Sequence, residues 1–138
     1  MKTKHIRAYM KTAHAFAECS TAVRLNVGAI VVKDNRIISI GYNGMPSGWD
    51  NNCEMEVDQA LKSKPEVLHA ETNAIAKLAR SPESGQGASM FITHSPCLDC
   101  AKLIYQSGIT EVYYETEYRD SAGVDFLRKC EVGIHHLP

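Results

Sequence analysis

Strand-like and helix-like segments alternate along most of this chain, and this order restricts the fold more than any other feature of the sequence. Two runs rich in β-branched residues, 27–33 and 36–42, flank the pair Asp34-Asn35. They predict a β-hairpin, because asparagine readily adopts the left-handed backbone conformation of a tight turn. Predicted helices and strands then follow one another to the C-terminus. We therefore predict an α/β fold with a mixed sheet flanked by helices, formed as one domain over residues 1–138.

The individual elements are predicted from hydrophobic periodicity and turn residues. In residues 3–18 the apolar side chains recur with helical spacing, which predicts an amphipathic first helix. The other predicted helices span 69–80, 97–107 and 122–130, and the other predicted strands span 89–93, 111–114 and 132–135. Residues 43–66 are rich in glycine, proline, aspartate and asparagine, so we interpret them as a functional loop with room for one helical turn.

Composition and charge exclude several classes of protein. The chain has 44% hydrophobic and 22% charged residues, which argues against disordered, collagen-like and coiled-coil proteins. No apolar run reaches the ~18 residues that span a bilayer, and none follows the charged N-terminus, so we expect no membrane segment and no secretory signal. The net charge of −1 does not suit a nucleic-acid partner. We interpret the local cluster Lys2, Lys4, Arg7 and Lys11 as a solvated helix face or a subunit contact.

The cysteines point to a metal site. Their number, five, is odd and too small for a disulfide-stabilised scaffold, so a reducing cytoplasm is the expected location. Cys97 and Cys100 have the Cys-x-x-Cys spacing that presents two thiolates to zinc. Pro96 suits the first position of a helix and Ser95 suits its N-cap. Both thiols are therefore expected at a helix N-terminus, whose dipole lowers thiol pKa values.

His69 and Glu71 complete a candidate catalytic centre with the two cysteines. Inside a helix, residues two apart point about 200° from each other, so this pair shares a pocket only if a helix begins near His69. We therefore place Zn²⁺ between two helix N-termini, with His69, Cys97 and Cys100 as ligands and a fourth position open. Zinc brings the pKa of a bound water to about 7, and Glu71 is predicted to be the catalytic proton carrier. The pattern His-x-Glu followed by Pro-Cys-x-x-Cys is the signature of zinc-dependent nucleobase deaminases.

A protein of a different class is left open by these motifs. In a zinc-stabilised binding module the ion would be structural, and Glu71 would only be a favourable acid in a first helical turn. Such a closed site needs a fourth ligand, for which Cys53, Cys19 and His94 are the candidates.

The segments Gly41-Tyr42-Asn43-Gly44 and Val27-Gly28-Ala29, together with the metal motifs, closely resemble the deoxycytidylate (dCMP) deaminase family. The resemblance covers nearly the whole chain, from about Arg24 to Tyr113. It implies a three-layer α/β/α sandwich with a five-stranded mixed sheet. It also implies one catalytic Zn²⁺ and the hydrolysis of dCMP to dUMP and ammonia, which supplies thymidylate synthesis. The metal motif alone fits the wider superfamily, and the Gly41–Gly44 segment narrows the substrate to a nucleotide.

The same resemblance implies roles for five residues around the substrate. The Asn43 side chain would hold the deoxyribose hydroxyl, the Ala70 backbone N–H the pyrimidine carbonyl, and the Ser95 carbonyl the amino group. Arg24 and Tyr118 would contact the phosphate, which suits the planar guanidinium of Arg24. Structural interpretations stay open beside these, namely a solvated loop cation for Arg24 and a half-buried aromatic side chain for Tyr118.

Regulation and assembly are implied by the resemblance as well. Many members of the family are hexamers that dCTP activates and dTTP inhibits, and Gly41, Tyr42, Asn43 and Gly44 fall in the segment implicated in effector binding. We therefore expect a homo-oligomer, favour a hexamer, and expect Mg²⁺ with a bound triphosphate effector. A plain sharp turn is the structural interpretation of the same segment.

Free cytidine and adenosine in tRNA are the competing substrates. A phosphate-binding arginine argues against free cytidine, and the lack of a basic surface argues against tRNA.

Overall fold

The computed structural model describes residues 1–138 and contains four helices and seven strands. The helices are α1 (Thr3–Ala17), α2 (Ala70–Ala79), α3 (Leu98–Gln106) and α4 (Ala122–Lys129). The strands are β1 (Gly28–Lys33), β2 (Arg36–Tyr42), β3 (Glu54–Val57), β4 (Ala60–Ser63), β5 (Ser89–His94), β6 (Glu111–Thr116) and β7 (Gly133–His136). No helix is both long enough and apolar enough to cross a membrane.

Five of the strands form one mixed sheet in the order β2-β1-β5-β6-β7. Strand β1 pairs antiparallel with β2 and with β5, whereas β5, β6 and β7 run parallel to one another. Side chains of α1 pack on one face of the sheet, and side chains of α2, α3 and α4 pack on the other. The predicted three-layer α/β/α sandwich with a five-stranded mixed sheet is confirmed.

The central strands are buried on both faces, which explains their unbroken apolar sequences. In β1, Ala29 and Val31 join the core beneath α2, α3 and α4, while Ile30 and Val32 join the core beneath α1. This division follows from the alternation of side chains along a strand. The turn at Asp34-Asn35 has positive φ angles of 52° and 58°, so the predicted hairpin turn is confirmed.

The largest departure from the sequence prediction lies in residues 43–66. The predicted loop with a helical turn is wrong in part, because this segment contains the antiparallel hairpin β3–β4 as a separate two-stranded sheet. Asp58 and Gln59 form its turn with φ angles of 51° and 63°, the combination that matches the twist of a two-residue hairpin. Both strands have only four residues and are mostly exposed, so they carry little hydrophobic alternation.

Candidate metal centre and substrate pocket

Three side chains from two distant segments meet in a group suited to a metal ion. The Nδ1 atom of His69 lies 3.2 Å from the Sγ of Cys100 and 3.6 Å from the Sγ of Cys97. All three donor atoms lie within 4.8 Å of one another. Donor atoms held by one tetrahedral zinc at about 2.0–2.3 Å lie about 3.5 Å apart, so one imidazole and two thiols fit Zn²⁺ in both chemistry and spacing.

Two helix N-termini bring these groups together. His69 is the N-cap of α2 and Cys97 the N-cap of α3, and both have extended backbones, with ψ angles of 156° and 169°. The helix that begins at Ala70 lets His69 and Glu71 face the same pocket, as their spacing predicts. The acidic Glu71 in this first helical turn also suits the positive end of the helix dipole.

The predicted N-cap of α3 is wrong by two residues. Ser95 is not the N-cap and Pro96 is not the first helical residue, because Cys97 keeps an extended backbone and α3 begins at Leu98. The Ser95 hydroxyl instead accepts a hydrogen bond of 2.6 Å from the backbone N–H of Tyr118. This bond ties the turn before α3 to the segment after β6.

The titratable groups of the site perturb one another strongly. Burial raises the pKa of the Glu71 carboxyl to about 7. Hydrogen bonds from Cys100 and His69 lower the pKa of Cys97 to about 4, and the hydrogen bond with Cys97 raises the pKa of His69. The bond that Cys100 donates to Cys97, together with burial, raises the pKa of Cys100. The helix dipole led us to expect lower pKa values for both thiols, but the lower pKa of Cys97 arises from hydrogen bonds and the pKa of Cys100 is raised. Cys100 must give up its proton when zinc is ligated.

A cavity of about 560 Å³ opens beside this centre. His69, Glu71 and Cys97 line it, and Cys100 is buried. The size suits a small organic ligand, and Glu71, which is only 5% exposed, brings a carboxyl group into a site shielded from water.

The cavity also collects the residues that the sequence associates with a substrate. Ala70 and Ser95 line its buried part, whereas Arg24 and Tyr118 are exposed lining residues. As the first residue of α2, Ala70 has a backbone N–H without a partner inside the helix. The guanidinium of Arg24 takes part in no ion pair within the chain.

Asn43 lines the cavity, and both the nitrogen and the oxygen of its side-chain amide form hydrogen bonds within the protein. Its Nδ2 donates to the carbonyl of Leu25 at 2.7 Å, and its Oδ1 accepts from the backbone N–H of Val27 at 2.8 Å. The side chain therefore anchors the segment that enters β1. Contact with a sugar hydroxyl would be an additional role for this amide, since its oxygen and nitrogen each retain one further hydrogen-bonding position.

The other residues of the Gly41–Gly44 segment connect β2 to its neighbours. A Cβ atom at Gly41 would collide with the carbonyl of Ala70 and lie 2.7 Å from the backbone nitrogen of Ala74. The Tyr42 carbonyl accepts a hydrogen bond from Asn73. Gly44 pairs with Leu68 through two backbone hydrogen bonds, just before the metal-binding segment.

Two charged lining residues, on the β3–β4 hairpin and its exit, were not predicted from the sequence. Glu54 and Lys64 both face the cavity, and Lys64 has no ion-pair partner in the chain. The one sequence signal for this hairpin was the residue pair Asp58-Gln59 between two four-residue segments, 54–57 and 60–63.

The candidates for a fourth metal ligand do not join the group. Cys53 is buried, with its Sγ 3.6 Å from the Thr21 hydroxyl, and Cys19 is exposed. His94 lines the cavity, but its Nδ1 is 3.0 Å from the Thr93 hydroxyl. Three protein ligands and one open position are the arrangement of catalytic zinc sites. An α/β/α fold in which His-x-Glu and Pro-Cys-x-x-Cys segments meet at a pocket defines the class of zinc-dependent nucleobase deaminases.

Comparison with known proteins identifies the family. Residues 3–116 match the family model described as "Cytidine and deoxycytidylate deaminase zinc-binding region". The chain therefore belongs to the cytidine and deoxycytidylate deaminase family. It is 33% identical over 169 residues to the deoxycytidylate deaminase of Enterobacteria phage T4, covering 94% of this chain and 88% of that protein. The human deoxycytidylate deaminase is 38% identical over 122 residues, covering 82% of this chain and 66% of that protein. The ComE operon protein 2 of Bacillus subtilis is 39% identical over 115 residues, and the chain spans 59% of its length.

Solved structures agree with this assignment. The dCMP deaminase from the cyanophage S-TIM5, in complex with dCMP and dUMP, is 48% identical, with a TM-score of 0.94 and 99% of each chain covered. A structure from a study of tRNA:A34 deaminases shares the fold at 22% identity and a TM-score of 0.64, covering 95% of this chain and 98% of that chain.

Proposed function

We propose that this protein hydrolyses dCMP to dUMP and ammonia. The observation that carries the proposal is one cavity that joins a His/Cys/Cys centre and a buried carboxyl group to an arginine without an ion-pair partner. The first two groups suit hydrolytic deamination of an aminopyrimidine, and the arginine suits a phosphate. The similarity to the cyanophage dCMP deaminase, at 48% identity over 99% of the chain, supports the same substrate.

The chemistry follows from the residues around the buried carboxyl group. Zn²⁺ held by His69, Cys97 and Cys100 would supply a hydroxide nucleophile at neutral pH. Burial raises the pKa of the Glu71 carboxyl above its ordinary value, which favours proton uptake by this group. It can therefore take a proton from water, give it to N3 of the ring, and later carry a proton to the departing amine. Water enters at C4, the C–N bond breaks, and ammonia leaves with uracil as the remaining base.

Binding and orientation of the nucleotide are assigned to five residues. The free N–H of Ala70 would meet the pyrimidine carbonyl, and the Ser95 carbonyl would receive the amino group. Asn43 would contact the deoxyribose hydroxyl, while Arg24 and Tyr118 would contact the phosphate. Support for this arrangement comes from the positions along the cavity, with Ala70 and Ser95 buried near Glu71 and with Arg24 and Tyr118 exposed.

The test compares ammonia release by the zinc-loaded protein from dCMP, deoxycytidine and an adenosine-containing tRNA anticodon stem. We expect dCMP to be the preferred substrate, and the preference over deoxycytidine to shrink in Arg24→Ala. Lys33→Ala is a matched control because Lys33 is a cation that does not line the cavity. Preference for deoxycytidine or for tRNA would overturn the proposed substrate.

Assembly, regulation and cellular role form the finer part of the proposal. We propose a cytoplasmic homo-hexamer that supplies dUMP for thymidylate synthesis, activated by dCTP and inhibited by dTTP, with Mg²⁺ accompanying the triphosphate. Support comes from the Gly41–Gly44 segment and from exposed apolar side chains on α3, at Leu98, Leu103 and Tyr105. Sedimentation equilibrium tests the assembly. Initial rates measured over a range of dCMP concentrations, with and without each triphosphate, test the regulation. Rates that neither triphosphate changes would overturn the proposed regulation.

A further inference from the structure

The segment from Ser20 to Val27, which carries Arg24, has no helix or strand and is held in place by side chains. Four of its backbone N–H groups, those of Ala22, Val23, Arg24 and Val27, donate to side-chain oxygens. Such a segment takes its position from the residues that accept these hydrogen bonds, because it has few ladder hydrogen bonds of its own.

Glu54, at the start of β3, accepts two of these four hydrogen bonds. One carboxylate oxygen, Oε2, lies 2.9 Å from the backbone nitrogen of Val23 and 3.2 Å from that of Arg24. Glu54 is only 6% exposed, although Val23 is 76% exposed. Hydrogen bonds from backbone N–H groups to an ionised carboxylate are stronger than those between neutral groups, so this contact fixes the segment firmly.

Asn43 holds the same segment from the other side of Arg24. Its amide binds the carbonyl of Leu25 and the N–H of Val27, while Glu54 binds the N–H groups of Val23 and Arg24. The backbone of Arg24 is therefore anchored on both flanks, and its side chain remains free to reach a ligand.

The direction of the Glu54 contact matters for the charge of the cavity. A carboxylate that paired with the Arg24 guanidinium would neutralise a charge suited to a phosphate, but no such ion pair exists. The negative charge is directed at backbone N–H groups, and the guanidinium stays available.

We propose that Glu54 is a positioning residue for nucleotide recognition, which sets the place of Arg24 by holding the backbone of Val23 and Arg24. This inference rests on the proposed function, in which Arg24 contacts the phosphate of dCMP. It assigns the β3–β4 hairpin a task in substrate selection rather than in the chemical step. Loss of Glu54 leaves two N–H groups unpaired on exposed residues, where water can satisfy them, so the expected consequence is a less fixed segment and not a collapsed fold.

The experiment measures kcat/KM for dCMP and for deoxycytidine in zinc-loaded Glu54→Ala, with Glu56→Ala as the matched control. Glu56 is an exposed glutamate on the same strand and forms no ion pair. We expect the ratio of the two constants, dCMP over deoxycytidine, to fall about tenfold or more in Glu54→Ala, the size of one charge-assisted hydrogen bond. The fall should appear mainly in KM for dCMP, while the rate with deoxycytidine and the zinc content stay at the level of the control.

A second background tests whether Glu54 acts through Arg24. In Arg24→Ala the further change Glu54→Ala should alter the substrate ratio less than about twofold, because the two changes remove the same interaction. An equal loss for both substrates, or an undiminished effect in the Arg24→Ala background, would overturn the inference. If Glu54→Ala fails to fold, Glu54→Gln serves as the test. The glutamine keeps an acceptor oxygen but loses the charge, so we expect it to lower the substrate ratio as well.

A wild-type protein without preference for dCMP would overturn the proposed function and this inference together. A normal preference that is unchanged in the Glu54 variants would overturn this inference alone.

Discussion

The Nδ1 atom of His69 lies 3.2 Å from the Sγ of Cys100, although the two residues are 31 positions apart in the sequence. The contact exists because α2 and α3 begin next to each other, and each helix carries a potential zinc ligand at its N-cap. The functional site is therefore a junction between two helix starts, and its geometry depends on how both helices pack on the sheet.

Removing one of the two thiols should remove the metal. Loss of a residue that hydrogen-bonds to a metal ligand typically lowers metal affinity ~10–100-fold. We expect Cys100→Ser to lower zinc affinity by more than this, because a direct ligand is lost. Zinc per chain after dialysis, measured by atomic emission, should fall from one to near zero, and ammonia release should fall with it. Cys130→Ser is the control, since Cys130 lies outside the group of potential ligands. Full zinc retention in Cys100→Ser would contradict the assigned ligand set.

Changing the buried carboxyl group should separate catalysis from metal binding. In Glu71→Gln we expect ammonia release to fall about 10²–10⁴-fold, the usual contribution of general acid–base catalysis, with zinc content preserved. The amide is nearly the same size as the carboxyl but cannot exchange a proton at neutral pH. Glu83→Gln is the control, because Glu83 lies outside the cavity. Ammonia release at the wild-type rate would show that Glu71 is not the proton carrier.

The positions of His69 and Glu71 show what the sequence alone could predict. Their spacing is incompatible with a shared pocket inside a helix, so the start of α2 follows from helix geometry, and the structure places it at Ala70. The N-cap of α3 was not predictable in the same way. Ser95 is a good cap by residue type, but its hydroxyl binds the N–H of Tyr118, a tertiary contact that local propensity does not contain.

Glu54 shows why part of the cavity was missed. Its partners are the backbone N–H groups of Val23 and Arg24, and almost every residue has such a group, so no residue pattern marks the pairing. The hairpin that carries Glu54 is short and exposed, and it lacks the runs of β-branched residues that identified β1 and β2. Contacts made by backbone atoms, and strands with little sequence pattern, can be recognised only in the folded structure.

His94 should make the stability of the protein depend on pH. Burial lowers the pKa of His94 in the folded state, and His14 lowers it further while nearby Glu115 raises it. The unfolded chain therefore takes up a proton at a higher pH than the folded chain does. The contribution to stability is intact above about pH 6.5, the ordinary histidine value, and is lost as the pH falls through the lowered pKa of the folded state.

The measurement is urea unfolding of zinc-loaded protein across this pH range. His94→Gln should lose less stability than the wild type between pH 7.5 and 5.5, because the amide does not titrate. His5→Gln, a change at the start of α1, should retain the wild-type pH dependence. Parallel curves for wild type and His94→Gln would show that burial of His94 has no such effect.

Two glycines of one segment should respond oppositely to alanine, because only one is packed against a helix. In Gly41→Ala the added methyl group would collide with the Ala70 carbonyl and lie 2.7 Å from the Ala74 nitrogen, which displaces the helix that carries His69 and Glu71. We expect a loss of about 1–3 kcal/mol in unfolding free energy, with lower activity. Nothing lies within 4 Å of a Cβ at Gly44, so Gly44→Ala should be neutral or raise stability by up to about 1 kcal/mol through the unfolded chain. Equal stability of both variants in urea unfolding would contradict the packing of β2 against α2 that holds the metal centre in place.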